Sequence, residues 1–172
     1  MGLDMYIYAR KNCFVSSWID ESKGQIKCEL PKELDAFKDL DEVKNSLSIS
    51  FNIDYKIGYW RKANHIHNWF IQNCAYKDEC GNPIDDCRPI EITVDKLEKL
   101  LDDCKKVLSD HSLASSILPT QSGFFFGSTR YDEDYFGEIE RTIEIIEPVL
   151  KFAKHKLEIE DYVWEVYYQA SW

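Results

Sequence analysis

The two ends of the chain alternate in character, and this pattern constrains the fold more than any other feature of the sequence. In the segments LDMYIYAR (3–10) and YVWEVYYQASW (162–172), alternate residues differ in character, as they do in β-strands with one buried face. Strands at opposite ends of a chain are able to pair with each other within one sheet. The pattern therefore predicts that both terminal segments are strands of a single sheet.

The spacing of apolar residues and the turn signals predict further elements between the two ends. Strands are predicted at residues 50–58, 90–94 and 123–127 (GFFFG), and helices at 59–74, 95–108 and 132–157. Pro148 falls inside the last helix, so we expect a kink there or two helices meeting at Glu147. The elements together predict an α+β fold: a single mixed β-sheet of about four to five strands, with three main helices packed mostly on one face.

A chain of 172 residues is long enough to form one domain with its own core, so residues 1–172 are predicted to be a single domain. Residues 20–50 are charged and poor in aromatic side chains, and they are expected to form a peripheral insertion with a short helix near 32–46. Six cysteines occur without an export signal, which favours free thiols in the cytoplasm. No metal, no cofactor and no membrane helix are predicted.

The net charge of −10 disfavours general DNA or RNA binding and binding to an anionic membrane, because both need clustered Lys and Arg. The acidic residues are unevenly spread. Residues 5–19, 55–77 and 111–131 contain no Asp or Glu, although they hold more than half of the aromatic residues. This pattern is open to two interpretations: buried core, or a surface that accepts a flat anionic ligand such as a nucleotide.

On the second interpretation, aromatic rings stack on the ligand and basic side chains neutralise its charge. Arg61 and Lys62 begin a predicted helix, where cations oppose the helix dipole. This local penalty suits either a functional pair or an ion pair with surface acids. The candidate ligand-binding residues are Trp60, Arg61, Lys62, Asn64, Trp69, Arg130 and Tyr131.

His67 lies on the apolar face of its predicted helix, with Phe70 and Ile71. A buried imidazole needs hydrogen-bond partners, so His67 is either a satisfied core histidine or the candidate catalytic acid/base of an enzyme. His65 and His67 point about 200° apart on a helix, so they cannot chelate one zinc ion together.

Four segments carry a resemblance: MGLDMYIYAR at the start, YWRKANHIHNWF at 59–70, GFFFGSTRYDEDY at 123–135 and YYQASW at the end. The chain resembles a family of small uncharacterised proteins of bacteria and their phages that open with MGLDMY and carry a YWRKAN-x-IH-x-WF box. The resemblance implies a cytoplasmic, phage- or prophage-encoded protein and transfers no activity. Residues 12–50 take no part in it.

Three functions are compatible with the sequence. The first is a small cytosolic protein that binds a nucleotide-like anion, in a phage setting one that sequesters a host defence signal. The second is an acidic interaction module or nucleic-acid mimic that docks on a basic host protein through the acid-rich segment 132–161. The third is a hydrolase or transferase that uses His67. No catalytic signature such as GxSxG or HExxH occurs, which favours binding over catalysis. A homo-oligomer is compatible with all three.

Overall fold

The computed structural model describes residues 2–15, 49–158 and 164–172. The chain divides into two units, one formed by Met1–Lys11 with Asp54–Trp172 and the other by Asn12–Ile53. The predicted insertion at 20–50 falls within the second unit, and all but its last residues lie outside the described ones, as does the predicted helix near 32–46. None of the described helices is long and apolar enough to cross a membrane.

In the part of the chain that the structure describes, four strands form one sheet: β1 (Asp4–Val15), β2 (Ile49–Arg61), β3 (Ile90–Glu91) and β4 (Trp164–Ser171). Their spatial order is β2-β1-β4-β3. β4 runs antiparallel to both of its neighbours, and Ile7 of β1 lies opposite Tyr168 of β4. The predicted pairing of the two terminal strands is therefore confirmed.

The predicted α+β fold with a single sheet is confirmed, but the sheet is antiparallel instead of mixed. A parallel pair of strands needs a connection that returns the chain to the same end of the sheet. Here β4 follows a long helix and enters the sheet from the end that makes it antiparallel to both β1 and β3.

Among the described residues, four helices accompany the sheet: α1 (Asn64–Cys74), α2 (Val94–Ser109), the short α3 (Ala114–Ile117) and α4 (Glu133–Glu158), with a 3₁₀ turn at His111–Leu113. The three longer ones correspond to the predicted helices. α4 continues through Pro148, so the alternative of two helices meeting at Glu147 is wrong. Buried Ile146 and Val149 on either side of Pro148 hold the helix against the core.

α1 begins at Asn64 and not at residue 59, because residues 59–61 complete β2. Lys62 then adopts a φ of 63°, in the left-handed region that costs energy for any residue with a side chain. Its backbone N–H donates to the carbonyl oxygen of Leu3 at 2.8 Å. This sharp reversal separates the strand from the helix, and apolar periodicity does not reveal it.

The strand predicted at 123–127 is wrong, because the segment forms a turn in which Phe126 N donates to Gly123 O at 3.2 Å. Phe126 is buried, whereas Phe124 is 84% exposed and Phe125 is 46% exposed. Gly127 has a φ of +94°, and a Cβ added to it would lie 3.0 Å from Cβ of Lys62. Glycine is therefore required where the turn meets the start of α1.

The core lies against one face of the sheet. Phe70 of α1 stacks on Tyr168 of β4 with ring centroids 3.9 Å apart. α4 approaches the same face at Gly58, where an added Cβ would lie 2.7 Å from Ile7 Cγ2 and would also collide with Ile145 of α4. Burial of each large apolar side chain contributes about 1.5–3 kcal/mol. This packing fixes α1 and α4 against one sheet.

Candidate functional site

A cleft of about 440 Å³ opens where α1 and α4 begin. Residues from three short segments line it, drawn from 61–65, 127–130 and 132–138. We call it the helix-start cleft. Its position follows from the fold, because the reversal at Lys62 starts α1 beside the turn that ends at Gly127.

Three basic residues of the predicted ligand-binding set line the helix-start cleft: Arg61, Lys62 and Arg130. The Arg61 side chain is 63% exposed, and its Nε lies 4.0 Å from Asp4 Oδ1. The Arg130 side chain is 81% exposed, and its Nε lies 3.3 Å from Asp132 Oδ2. Exposed ion pairs contribute about 0–1 kcal/mol, so both guanidinium groups can exchange these partners for an anionic ligand.

The N-terminus of α1 faces the same cleft. Its first two residues, Asn64 and His65, both line the cleft. Ala63 at the N-cap position makes no side-chain hydrogen bond to the helix, and the first turn contains no acidic residue. The backbone N of Asn64 donates to Lys62 O at 2.9 Å, and that of Ile66 donates to Ala63 O at 3.1 Å. The attraction of this helix start for an anion therefore comes mainly from the helix dipole.

The start of α4 contributes acidic residues to the cleft. Asp132 precedes the helix, and its Oδ1 accepts a hydrogen bond from the backbone N of Tyr135 at 3.3 Å. Glu133 and Asp134 occupy the first turn. These carboxylates stabilise the positive end of α4 from within the chain. They also limit how much negative charge a ligand can bring into the cleft.

His65 is a residue of this site that the sequence analysis did not select. It is only 3% exposed, and its ring lies 4.2 Å from the ring of Tyr135, centroid to centroid. Burial lowers the pKa of His65 from 6.5 to about 3, so the imidazole is neutral at physiological pH. Its Nε2 atom is buried without a hydrogen-bond partner. The apolar environment depends on Tyr135, far along the chain, so local sequence carries no signal of it.

Glu138 supplies a second unpartnered polar atom to the cleft. Its Oε2 is buried and has no hydrogen-bond partner. Burial raises the pKa of the Glu138 carboxyl, and nearby Arg141 partly opposes this. Glu138 follows Tyr135 by one helical turn and so lies on the same face of α4. The choice of acid-free stretches excluded this residue from the predicted set.

Asn64 has a structural role that sequence reasoning did not anticipate. Its Nδ2 donates to the carbonyl oxygens of Phe126 at 3.1 Å and of Ser128 at 2.8 Å. Its Oδ1 accepts from the backbone N of Gln121 at 3.0 Å. The amide is thereby fully used to tie residues 121–128 to the start of α1. Asn64 shapes the cleft and has little capacity left to hold a ligand.

Neither predicted tryptophan can stack on a ligand at this cleft. Trp60 is completely buried, and its Nε1 donates to Oγ1 of Thr142 at 2.9 Å. Trp69 is 4% exposed, and its Nε1 donates to Oδ2 of Asp103 at 2.8 Å. Their selection as binding residues is therefore corrected: both are core side chains whose polar atoms are satisfied inside the protein.

Tyr131 lies next to the cleft and does not line it. Its side chain is 41% exposed, and its ring meets Tyr135 edge-on with centroids 4.9 Å apart. The hydroxyl accepts a hydrogen bond from the backbone N of Thr120 at 3.4 Å. The ring is therefore accessible to the part of a ligand that extends out of the cleft.

His67 lies in the core, away from the helix-start cleft. It has no exposed surface, its Nδ1 is 2.7 Å from the Tyr168 hydroxyl, and its Nε2 is 3.1 Å from Asp85 Oδ2. A neutral imidazole satisfies both contacts if Tyr168 donates to Nδ1 and Nε2–H donates to Asp85. The adjoining space is about 10 Å³, roughly one water molecule. This geometry favours the satisfied core histidine over the catalytic acid/base.

The acid-rich surface of α4 is partly neutralised within the chain. Lys105 of α2 lies 2.9 Å from Glu147, and Lys154 of α4 lies 2.6 Å from Glu98 of α2. These pairs cross the interface between the two helices. They reduce the continuous negative surface that mimicry of nucleic acid requires.

Among residues 2–15, 49–158 and 164–172, no group of three or more His, Cys, Asp or Glu side chains could hold a metal ion. Cys74, Cys80, Cys87 and Cys104 are free thiols. Comparison of the chain with known protein families, with curated proteins and with solved structures gave no match. The fold and the cleft alone therefore define its class: an α+β protein with an open antiparallel sheet and a polar cleft at two helix starts.

Proposed function

We propose that the protein binds a small anionic, nucleotide-like ligand in the helix-start cleft. The observation that carries this proposal is the start of α1, which has no capping side chain and no acid in its first turn. Arg61, Lys62 and Arg130 line the cleft at this point. An anionic group placed there meets a helix dipole and three cationic side chains at once.

The acidic residues of the cleft restrict the charge of the ligand. Glu133 and Asp134 line it together with the basic side chains, and the whole chain carries a net charge of −10. A polyanion such as a nucleic acid strand would meet repulsion from both. A ligand with one phosphate and several hydrogen-bond donors matches both the basic and the acidic residues of the cleft.

The size of the cleft agrees with such a ligand. Its volume of about 440 Å³ falls in the range of about 300–1,000 Å³ that small-molecule sites occupy. Tyr131 at the border offers an exposed aromatic ring to a group that extends outward. We favour binding over a catalytic role for His67, because the space beside the His67 side chain holds no more than about one water molecule.

Isothermal titration calorimetry with AMP and with inorganic phosphate tests the proposal. The Arg61→Gln and Arg130→Gln variants should each bind AMP about tenfold more weakly, because each loses a charge-assisted hydrogen bond. Lys77→Gln is the matched control, since Lys77 is exposed and lies outside the cleft lining. Absence of binding at millimolar AMP and phosphate, or equal losses in all three variants, would refute the proposal.

We further propose that the protein retains its ligand without altering it, as sequestration of a host signal requires. Burial lowers the pKa of His65 to about 3, so its imidazole is a poor proton acceptor near neutral pH, and the enclosed His67 lacks the exposure expected of a general acid or base. Nucleotide released from the protein by heat should be chemically unchanged by mass spectrometry. A new product that accumulates with time would establish an enzyme instead.

A further inference from the structure

Resting on the proposed function, we infer that His65 and Glu138 form a base-reading pair that recognises the exocyclic amino group of a nucleobase and its neighbouring ring nitrogen. The ligand class is then a nucleoside phosphate with an amino-bearing base. The anionic group occupies the start of α1, and the base edge meets the pair.

His65 and Glu138 each have a buried polar atom that lacks a hydrogen-bond partner. Among the described residues, four side chains have a buried polar atom without a hydrogen-bond partner, and two of these, His65 and Glu138, line the helix-start cleft. His65 is 3% exposed, so Nε2 has no contact with bulk water, and a ligand reaches it only when the side chains that line the cleft move slightly apart. A buried polar atom that lacks a partner is costly to the fold. A ligand that supplies both partners recovers this cost on binding.

The elements that carry His65 and Glu138 are held in place before any ligand arrives. The ring of His65 rests on Tyr135, and the Tyr135 hydroxyl donates to the carbonyl oxygen of Leu118 at 2.8 Å. Glu138 lies one turn further along the same face of α4. Its own carbonyl oxygen accepts from Oγ1 of Thr142 at 2.7 Å. Because the elements that carry both groups are already fixed, a ligand has to order little more than the two side chains themselves.

The two side chains have complementary hydrogen-bonding chemistry. An ionised Glu138 only accepts, and a neutral His65 can donate through Nε2. The pair therefore offers an acceptor and a donor, the complement of an amino group next to a ring nitrogen, as in adenine and cytosine. Glu133 and Asp134, which also line the cleft, add further acceptors and favour a donor-rich ligand. Inosine and uridine present a carbonyl oxygen where adenosine and cytidine present the amino group, so Glu138 would face another acceptor.

Two matched pairs of ligands test the inference by calorimetry: AMP against IMP, and CMP against UMP. The native protein should bind the amino-bearing member of each pair roughly tenfold more tightly. Glu138→Gln should bring both ratios close to one, because the glutamine amide can donate as well as accept. Glu140→Gln is the control, since Glu140 is exposed on the same helix and lies outside the cleft lining. His65→Phe preserves the ring contact with Tyr135 and should weaken AMP binding while it leaves phosphate binding unchanged.

The outcomes separate this inference from the proposed function. If AMP and IMP bind equally well, CMP and UMP bind equally well, and Glu138→Gln changes neither result, the base-reading pair is overturned. The anion site is still supported in that case if phosphate binds and its binding depends on Arg61. A ratio that Glu140→Gln abolishes as effectively as Glu138→Gln would overturn it as well. Failure of all four nucleotides and of phosphate to bind would remove both.

Discussion

The starts of α1 and α4 line the same cleft, but they differ in capping and in charge. Asp132 caps α4, and Glu133 and Asp134 add negative charge to its first turn. α1 has no side-chain cap and no acid in its first turn. Arg61 and Lys62, which lie just before it, place positive charge at the positive end of its dipole.

This difference shows that the start of α1 has unfavourable interactions that the start of α4 avoids. Each cation at a helix N-terminus opposes the dipole by about 0.3–1 kcal/mol, and a buried unpartnered group such as Nε2 of His65 costs about 1–3 kcal/mol. α4 shows that this chain can build a helix start without such penalties. The penalties at α1 collect at one cleft, where the anionic group of a ligand would offset the cations and its base would pair with His65, and this agrees with a binding site.

The largest effect is expected from Asn64→Ala, which removes the link between the α1 start and the 121–128 segment. Three hydrogen bonds are lost, and two carbonyl groups and one N–H are left without partners. The free energy of unfolding, measured in urea, should fall by about 2–4 kcal/mol. Asn68→Ala is the control on the same helix, because its amide makes one exposed bond, to Pro119 O. Equal losses in the two variants would show that Asn64 does not organise the α1 start.

A smaller effect should appear in the pH dependence of stability. The pKa of His65 is about 3 in the folded protein and 6.5 when unfolded, so the unfolded chain binds more protons between these values. Stability contributed by the neutral imidazole is complete above pH 6.5 and falls with acidification by at most about 1.4 kcal/mol per pH unit. The raised pKa of Glu138 acts in the opposite direction near its own range.

The measurement is the difference in unfolding free energy between the native protein and His65→Phe at pH 7 and at pH values down to about 4.5. The native protein should lose stability relative to the variant as the pH falls. Parallel curves for the two proteins would show that His65 is not held neutral by burial. The α1 start would then lack the buried neutral histidine that distinguishes it from the α4 start.

The sequence predicted much of the fold because its decisive features are local. Alternation at the two ends predicted β1 and β4, and the apolar stripes predicted α2 and α4. The reversal at Lys62 and the turn around Phe125 depend on positive φ values, which neither residue type favours. Their sequences therefore suggested a longer helix and an extra strand.

The candidate site could be predicted only in part, because burial depends on distant residues. The structure places Arg61, Lys62, Asn64 and Arg130 around one cleft, which the sequence could not establish because it does not show which segments meet. It buries Trp60 against Thr142, far along the chain, and no local pattern distinguishes a core tryptophan from a stacking one. His65 and Glu138 gain their importance from the packing of α1 and α4, which sequence periodicity does not specify.

The cap of α4 provides the next test. Asp132→Ala removes the side chain that accepts from Tyr135 N, so the unfolding free energy should fall by about 1 kcal/mol. Asp132→Asn keeps an oxygen acceptor and should recover most of this loss. The same Asn variant reduces negative charge in the cleft and should bind AMP slightly more tightly. A full loss of stability in Asp132→Asn would show that charge, and not the capping hydrogen bond, stabilises the α4 start.

The smallest effect is expected when α1 receives the kind of cap that α4 has. Ala63→Ser places a hydroxyl at the N-cap position of α1, where no side chain now bonds to the helix, and should raise the unfolding free energy by about 0.5 kcal/mol. The same hydroxyl competes with a ligand anion for the positive end of the helix dipole, so AMP and phosphate should bind several-fold more weakly. Stability by urea unfolding and affinity by calorimetry would thus change in opposite directions. If the substitution stabilises the fold and leaves affinity unchanged, the anion does not use the start of α1, and the contrast between the two helices has no bearing on binding.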